Sequence, residues 1–193
     1  SLPEFKASFA VSSKAKTGNN VTGDAFGDVC MEKGIGIILS DGMGTGEEAG
    51  RESARTVELA ESFLKASLNG DRIKELLDTV FSPFSECFAT VDLLETDLYK
   101  GNARFTKMGA SPSFVLRDGK IKTIGEATVF ASMASADKAD TKELSLKDGD
   151  IIIMITDGVT EALTDKDEAL WISDIVTKLD SRDPKYIADS IIK

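Results

Sequence analysis

The chain has 193 residues, 41% hydrophobic and 29% charged, an ordinary composition for one globular domain with a substantial core. A net charge of −10 argues against nucleic-acid phosphates or an anionic membrane as partner, and no apolar run approaches the ~20 residues that span a bilayer. Histidine is absent, which removes Ser-His-Asp and Cys-His nucleophile systems and histidine-ligated zinc, leaving carboxylates, metal-bound water, lysine or backbone for any chemistry.

Residues 5–11 alternate apolar with small or polar, as a half-buried strand does. Residues 12–20 read as a loop, and Gly23 to Gly27 as a second loop or a strand entry. Val29 to Met31 and Gly34 to Ser40 form a predicted hairpin turning at Glu32-Lys33-Gly34. From Glu47 to about Leu68 the apolar spacing becomes helical, through Ala49, Ser53, Val57, Ala60, Leu64 and Leu68. A second helix carries Ile73, Leu76, Leu77, Val80 and Phe81 on one face, with Asp71 as N-cap and Pro83 as its end or kink.

The period then switches to two. Residues 87–94 read as a long strand, and Asn102 to Met108 as the next. Phe114 to Leu116 and Lys120 to Ile124 make a hairpin across Arg117-Asp118-Gly119. Residues 125–140 read as a loop. A strand holding Leu144 and Leu146 turns at Lys147-Asp148-Gly149 into Asp150 to Thr156. Residues 167–179 and 184–192 are predicted helices, and Pro184 suits a first helical turn. The fold class is therefore α+β and layered, with antiparallel strands rather than a Rossmann-type parallel sheet. Cys30 and Cys87 lie in apolar surroundings and are expected as buried free thiols, in keeping with a cytoplasmic location. No signal peptide precedes the fold, and a start at Ser1 rather than methionine reads as a piece of a longer protein.

One stretch organises the chain. A buried strand, Ile35 to Ser40, runs into Asp41-Gly42-Met43-Gly44-Thr45-Gly46, and a helix follows. A carboxylate at a strand end is held rigidly, and Gly42 lets its carbonyl turn toward the same point. Two such oxygens side by side suit a hard divalent cation. The arrangement recurs where Ile151 to Thr156 leads into Asp157-Gly158, and Gly23-Asp24 offers a third aspartate. Asp118-Gly119 and Asp148-Gly149 read simply as turns. Three buried carboxylates that meet need a positive charge between them.

With these residues in view, the chain resembles the metal-dependent serine/threonine protein phosphatases, the PPM or type 2C class. It is most similar to the bacterial branch of the stage II sporulation protein E phosphatase domain and the stress-response anti-anti-sigma phosphatases. The motifs are Thr22-Gly23-Asp24-Ala25-Phe26, Ser40 to Gly46, Gly109-Ala110-Ser111-Pro112-Ser113-Phe114, and Leu146 to Gly158 with Glu161 shortly after. The resemblance spans nearly the whole chain, read as a single domain over 1–193. It implies an α-β-β-α sandwich of two antiparallel sheets with helices on the outer faces. It also implies a two-metal site for Mn2+ or Mg2+ at one edge. By resemblance, Asp41 bridges the metals, the Gly42 carbonyl binds one, Asp157 ligates the other, and Asp24 holds a water on them. Asp24, Asp41 and Asp157 are thus the expected catalytic residues.

The family closes with a further strand and a last aspartate ligand, which this sequence lacks, so at most one well-held cation is expected. The implied reaction is hydrolysis of phosphoserine or phosphothreonine on a regulatory protein, by resemblance an anti-sigma-factor antagonist, in sporulation or stress response. A homodimer is among the assemblies left open. A rival reading is a catalytically weak, phosphatase-like module that regulates a partner by binding it. A third, nucleotide binding by Gly42 to Gly46, lacks a Gly-Lys-Ser/Thr and places Glu47-Glu48 against any phosphate.

Overall fold

The computed structural model describes residues 2–15, 21–44, 46–80, 89–125, 140–161 and 167–193. Two antiparallel sheets carry the fold. The larger has β1 (Asp24–Cys30), β2 (Ile35–Asp41), β3 (Val91–Asp97), β4 (Asn102–Met108) and β7 (Asp140–Ser145), in the order β1-β2-β3-β4-β7. The smaller has β5 (Ser113–Arg117), β6 (Lys120–Ile124) and β8 (Ile151–Ile153), in the order β6-β5-β8. Helices α1 (Glu47–Lys65) and α2 (Gly70–Val80) cover the large sheet. Helices α4 (Glu168–Thr177) and α5 (Pro184–Ile191) cover the small one, and a four-residue α3 (Asp157–Thr160) follows β8. This is the expected α-β-β-α sandwich.

The core accordingly divides into three. Val57, Ala60 and Leu64 of α1 and Ile73 and Leu77 of α2 pack on Ile38, Val91 and Leu93. Phe114, Leu116 and Ile153 meet Ile172, Val176, Ile187 and Ile191 on the opposite side. Between the sheets lie Leu94, Ala103, Phe105, Val115 and Ile124. Strand alternation sets this division, since successive side chains point to opposite faces. In β2, Ile38 faces α1 and is fully buried, whereas Ile35, Ile37 and Leu39 face inward and are half-buried. A cavity of about 720 Å³ borders that inner face, closed on its other sides by the N-terminal segment, the β8 region and α5.

Several expectations change. Residues 5–11 form no strand; the amides of Glu4 and Phe5 both donate to Leu98 O, and no ladder pairs this segment among the described residues. Of the two readings of Gly23 to Gly27, the strand entry holds: β1 pairs in register with β2 from Asp24 onward. Within the described residues β3 runs from Val91 to Asp97, past the predicted end at Leu94, and residues 87 and 88 of the predicted strand lie outside them. Lys147-Asp148-Gly149 does not join neighbours in one sheet. It carries the chain from β7 beside β4 to β8 beside β5. Asn69, not Asp71, caps α2, its Oδ1 accepting from Arg72 N at 3.0 Å. Cys30 is exposed, since alternation turns Val29 toward α1 and puts the last β1 residue on the opposite face. Cys87, Phe81, Pro83 and nearly all of the loop at 125–140 lie outside the described residues. Pro184 does open α5, behind an Asp183 N-cap.

Candidate metal centre

Asp24 and Asp41 are direct partners in the β1–β2 ladder, at the end where both strands meet α1. The Asp41 backbone is tied down from β3's side. Its amide donates to Thr90 Oγ1 at 3.0 Å, and its carbonyl accepts from Thr90 N at 2.8 Å. Ser40 Oγ adds a bond to Thr90 O at 2.7 Å. These three bonds fix the main chain at the strand end from which the Asp41 side chain projects.

Gly42 follows in a position only glycine fits, because a Cβ there would run into the backbone of Ala49 at the start of α1. Its amide donates to Gly23 O at 3.2 Å. The Gly42 carbonyl and Asp41 Oδ1 both lie close to Gly23. A Cβ placed on Gly23 would stand 3.7 Å from the first and 3.8 Å from the second.

Asp157 comes from behind the other sheet, as the first residue of α3, four residues beyond Ile153 at the end of β8. It reaches Asp41 closely enough to hydrogen-bond with it, and so does Asp24. Burial first, then the hydrogen bond and charge of Asp157, then Asp24, push the Asp41 carboxyl from 3.8 up to about 8. Asp24 is held by Thr22, whose Oγ1 donates to Asp24 Oδ2 at 3.0 Å. The structure thus brings Asp24, Asp41, Gly42 and Asp157 together.

The donor set fits a hard divalent cation. Every donor is an oxygen, and the proton that burial and two neighbouring carboxylates force onto Asp41 marks where positive charge belongs. The set is not closed. Among the described residues, no three His, Cys, Asp or Glu side chains are arranged to hold a metal as they stand.

A small cavity of about 30 Å³, room for a water, sits between Asp41, Asp157, Thr90 and the Gly109–Ser111 segment. Sequence reading missed Thr90, which looked like one member of an alternating strand. It also missed Asp92 beneath the same cavity. Only Thr22 carried a signal, as the first residue of Thr22-Gly23-Asp24.

The sequence profile of stage II sporulation protein E matches residues 31–193. The chain belongs to the stage II sporulation protein E family. It is 30% identical over 187 residues to stage II sporulation protein E of Priestia megaterium, covering 95% of this chain and 32% of that protein. The chain therefore spans about a third of that relative's length. The PP2C phosphatase domain of SpoIIE from Bacillus subtilis, solved with a fragment of its regulatory domain, superposes with a TM-score of 0.87. That match is 27% identical and covers 99% of this chain and 58% of the solved one. RsbX, solved in complex with magnesium, shares the fold with a TM-score of 0.73 at 20% identity, over 93% of this chain and 83% of its own. The sandwich is that of PP2C-type phosphatase domains.

Proposed function

We propose that residues 1–193 form one metal-dependent protein phosphatase domain that hydrolyses phosphoserine or phosphothreonine on a regulatory protein. The observation that carries this is Asp41, fixed at a strand end with Asp24 and Asp157 both against it and its carboxyl raised to about 8. Asp41, the Gly42 carbonyl and Asp157 would hold Mn2+ or Mg2+. Bound there, such cations supply Lewis acidity and an activated water. Asp24, oriented by Thr22, would align that water. Gly42 keeps α1 and the metal edge in one rigid unit. The sequence offers no imidazole to protonate the leaving alkoxide, and a water would supply that proton. With a net charge of −10, the protein surface gives a phosphate no general attraction, and the pull must be local.

The substrate would be a phosphorylated anti-sigma-factor antagonist, met in the cytoplasm. No helix among the described residues is long and apolar enough to cross a membrane. The test is release of phosphate from a phosphoserine peptide with Mn2+, on wild type and Asp41→Asn. Turnover that depends on Mn2+ and falls by at least 100-fold in the variant is expected. The incompletely closed ligand set favours a second reading, a weak phosphatase-like module that binds its partner. Tight binding of a phosphoprotein with no Mn2+-dependent turnover would select it.

A further inference from the structure

A second charged group sits just below the site, and the reaction does not use it. Asp92 on β3 and Lys107 on β4 are directly opposed in the ladder, and both side chains are 1% exposed. Lys107 Nζ lies 2.6 Å from Asp92 Oδ2. It also donates to Ser113 Oγ at 2.8 Å and to Ser111 O at 2.7 Å. Ser113 Oγ in turn donates to Asp92 Oδ2 at 2.8 Å. Asp92 Oδ1 has no hydrogen-bond partner among the described residues.

A network kept for stability would not look like this. Burying an ion pair costs about what its attraction returns, and an apolar pair of similar size commonly does as well or better. An orphaned carboxylate oxygen adds a further cost. The placement suggests what is gained. Asp92 and Lys107 belong to the large sheet, whereas Ser113 is the first residue of β5 in the small sheet. The network therefore bolts one sheet to the other, at the point where the Gly109–Pro112 crossover passes between them.

The two aspartates of the candidate centre also come from different sheets. Asp41 ends β2, whose Leu39 pairs with Asp92. Asp157 follows β8, whose Ile153 pairs with Phe114, next to Ser113. From Asp41 to Asp157 the rigid path runs β2, β3, the buried network, β5 and β8. We propose that Asp92, Lys107 and Ser113 are positioning residues that set the spacing between Asp41 and Asp157 by fixing the distance between the two sheets at this end. Buried networks of this kind specify geometry because each member accepts only one arrangement of the others.

The metal arm of the test rests on the phosphatase reading; the exchange arm does not. The variant is Asp92→Leu/Lys107→Met in the 193-residue chain, which removes both charges at once and leaves neither buried alone. In metal-free protein, amide hydrogen exchange at residues 109–113 and 155–157 should quicken at least tenfold. Exchange in α5 and at the far end of β3 should stay within twofold, with the melting temperature within a few degrees. Mn2+ affinity by calorimetry should fall at least tenfold. Unchanged exchange at both site segments overturns the inference, as does a uniform rise that tracks a lower melting temperature. Should the double variant not fold, Ser113→Ala, which cuts the link between sheets, is read in the same way, with exchange about threefold faster at the same segments. Wild type that binds no Mn2+ would defeat the metal reading, and the exchange comparison would still decide this one.

Discussion

At the scale of the residue, Asp41 decides the behaviour of the metal-free protein. Its carboxyl is raised from 3.8 to about 8 by burial and by Asp157 and Asp24. Across that window the native state holds a proton that the unfolded chain has released, so stability is full at the acid end and falls as pH rises toward 8. Asp41→Asn removes the titration. We expect the variant without metal to melt a few degrees higher than wild type at pH 8, about 1 kcal/mol once solvent screening of this half-exposed group is allowed for. At pH 4.5 the two should melt together. Equal melting at both pH values would show that Asp41 is not strained. The same proton competes with a cation, so Mn2+ affinity should rise by up to tenfold per unit between pH 6 and 8, with proton release in the calorimeter. A flat affinity would contradict that.

At the scale of the element, α1 and the metal edge share a contact with no slack. Gly42 touches the Ala49 backbone, and Gly50 comes close to Thr22 O, which a Cβ there would meet at 2.9 Å. Gly42→Ala must push α1 away or turn the Asp41 loop. We expect at least a tenfold loss of Mn2+ affinity, larger in free energy than the loss of folding stability measured by urea. Equal losses would mean that the contact serves folding alone. The faces of β2 offer a second check. Ile38 is fully buried under α1, and Ile38→Ala should cost about 2–4 kcal/mol. Ile37 borders the 720 Å³ cavity and should cost less than half as much. Similar costs would show that the cavity is filled in solution.

At the scale of the whole molecule, the candidate centre lies where two sheets converge, and neither holds a full set of ligands. Asp24, Asp41 and Gly42 come from the large sheet and Asp157 from behind the small one. Three carboxylates, one of them engaged by Thr22, leave a second cation short of anionic partners. Calorimetric titration with Mn2+ should therefore show one weak binding event, reversed by EDTA. Two tight events would mean that residues beyond the described ones complete the site.

Local pattern was enough for much of this. Apolar spacing located α1 and the helical stripes of α4 and α5. A short apolar run located β2 and alternation β4, and the repeated strand-Asp-Gly located Asp41 and Asp157. These signals are legible because each depends only on neighbours a few residues away. The remainder depends on partners far along the chain. Residues 5–11 alternate like a strand yet find no ladder among the described residues, since hydrogen bonds need a second edge that pattern cannot supply. Lys147-Asp148-Gly149 reads as a turn, but whether β8 then pairs with β7 or with β5 is settled by packing between sheets. Thr90 and Asp92 look like ordinary strand residues until β3 lies beside β2 and opposite Ser113. The chemistry of the carboxylates was written in the sequence. Their meeting, and the proton that meeting forces onto Asp41, came only with the tertiary structure, because electrostatic strain depends on distance and burial rather than on order along the chain.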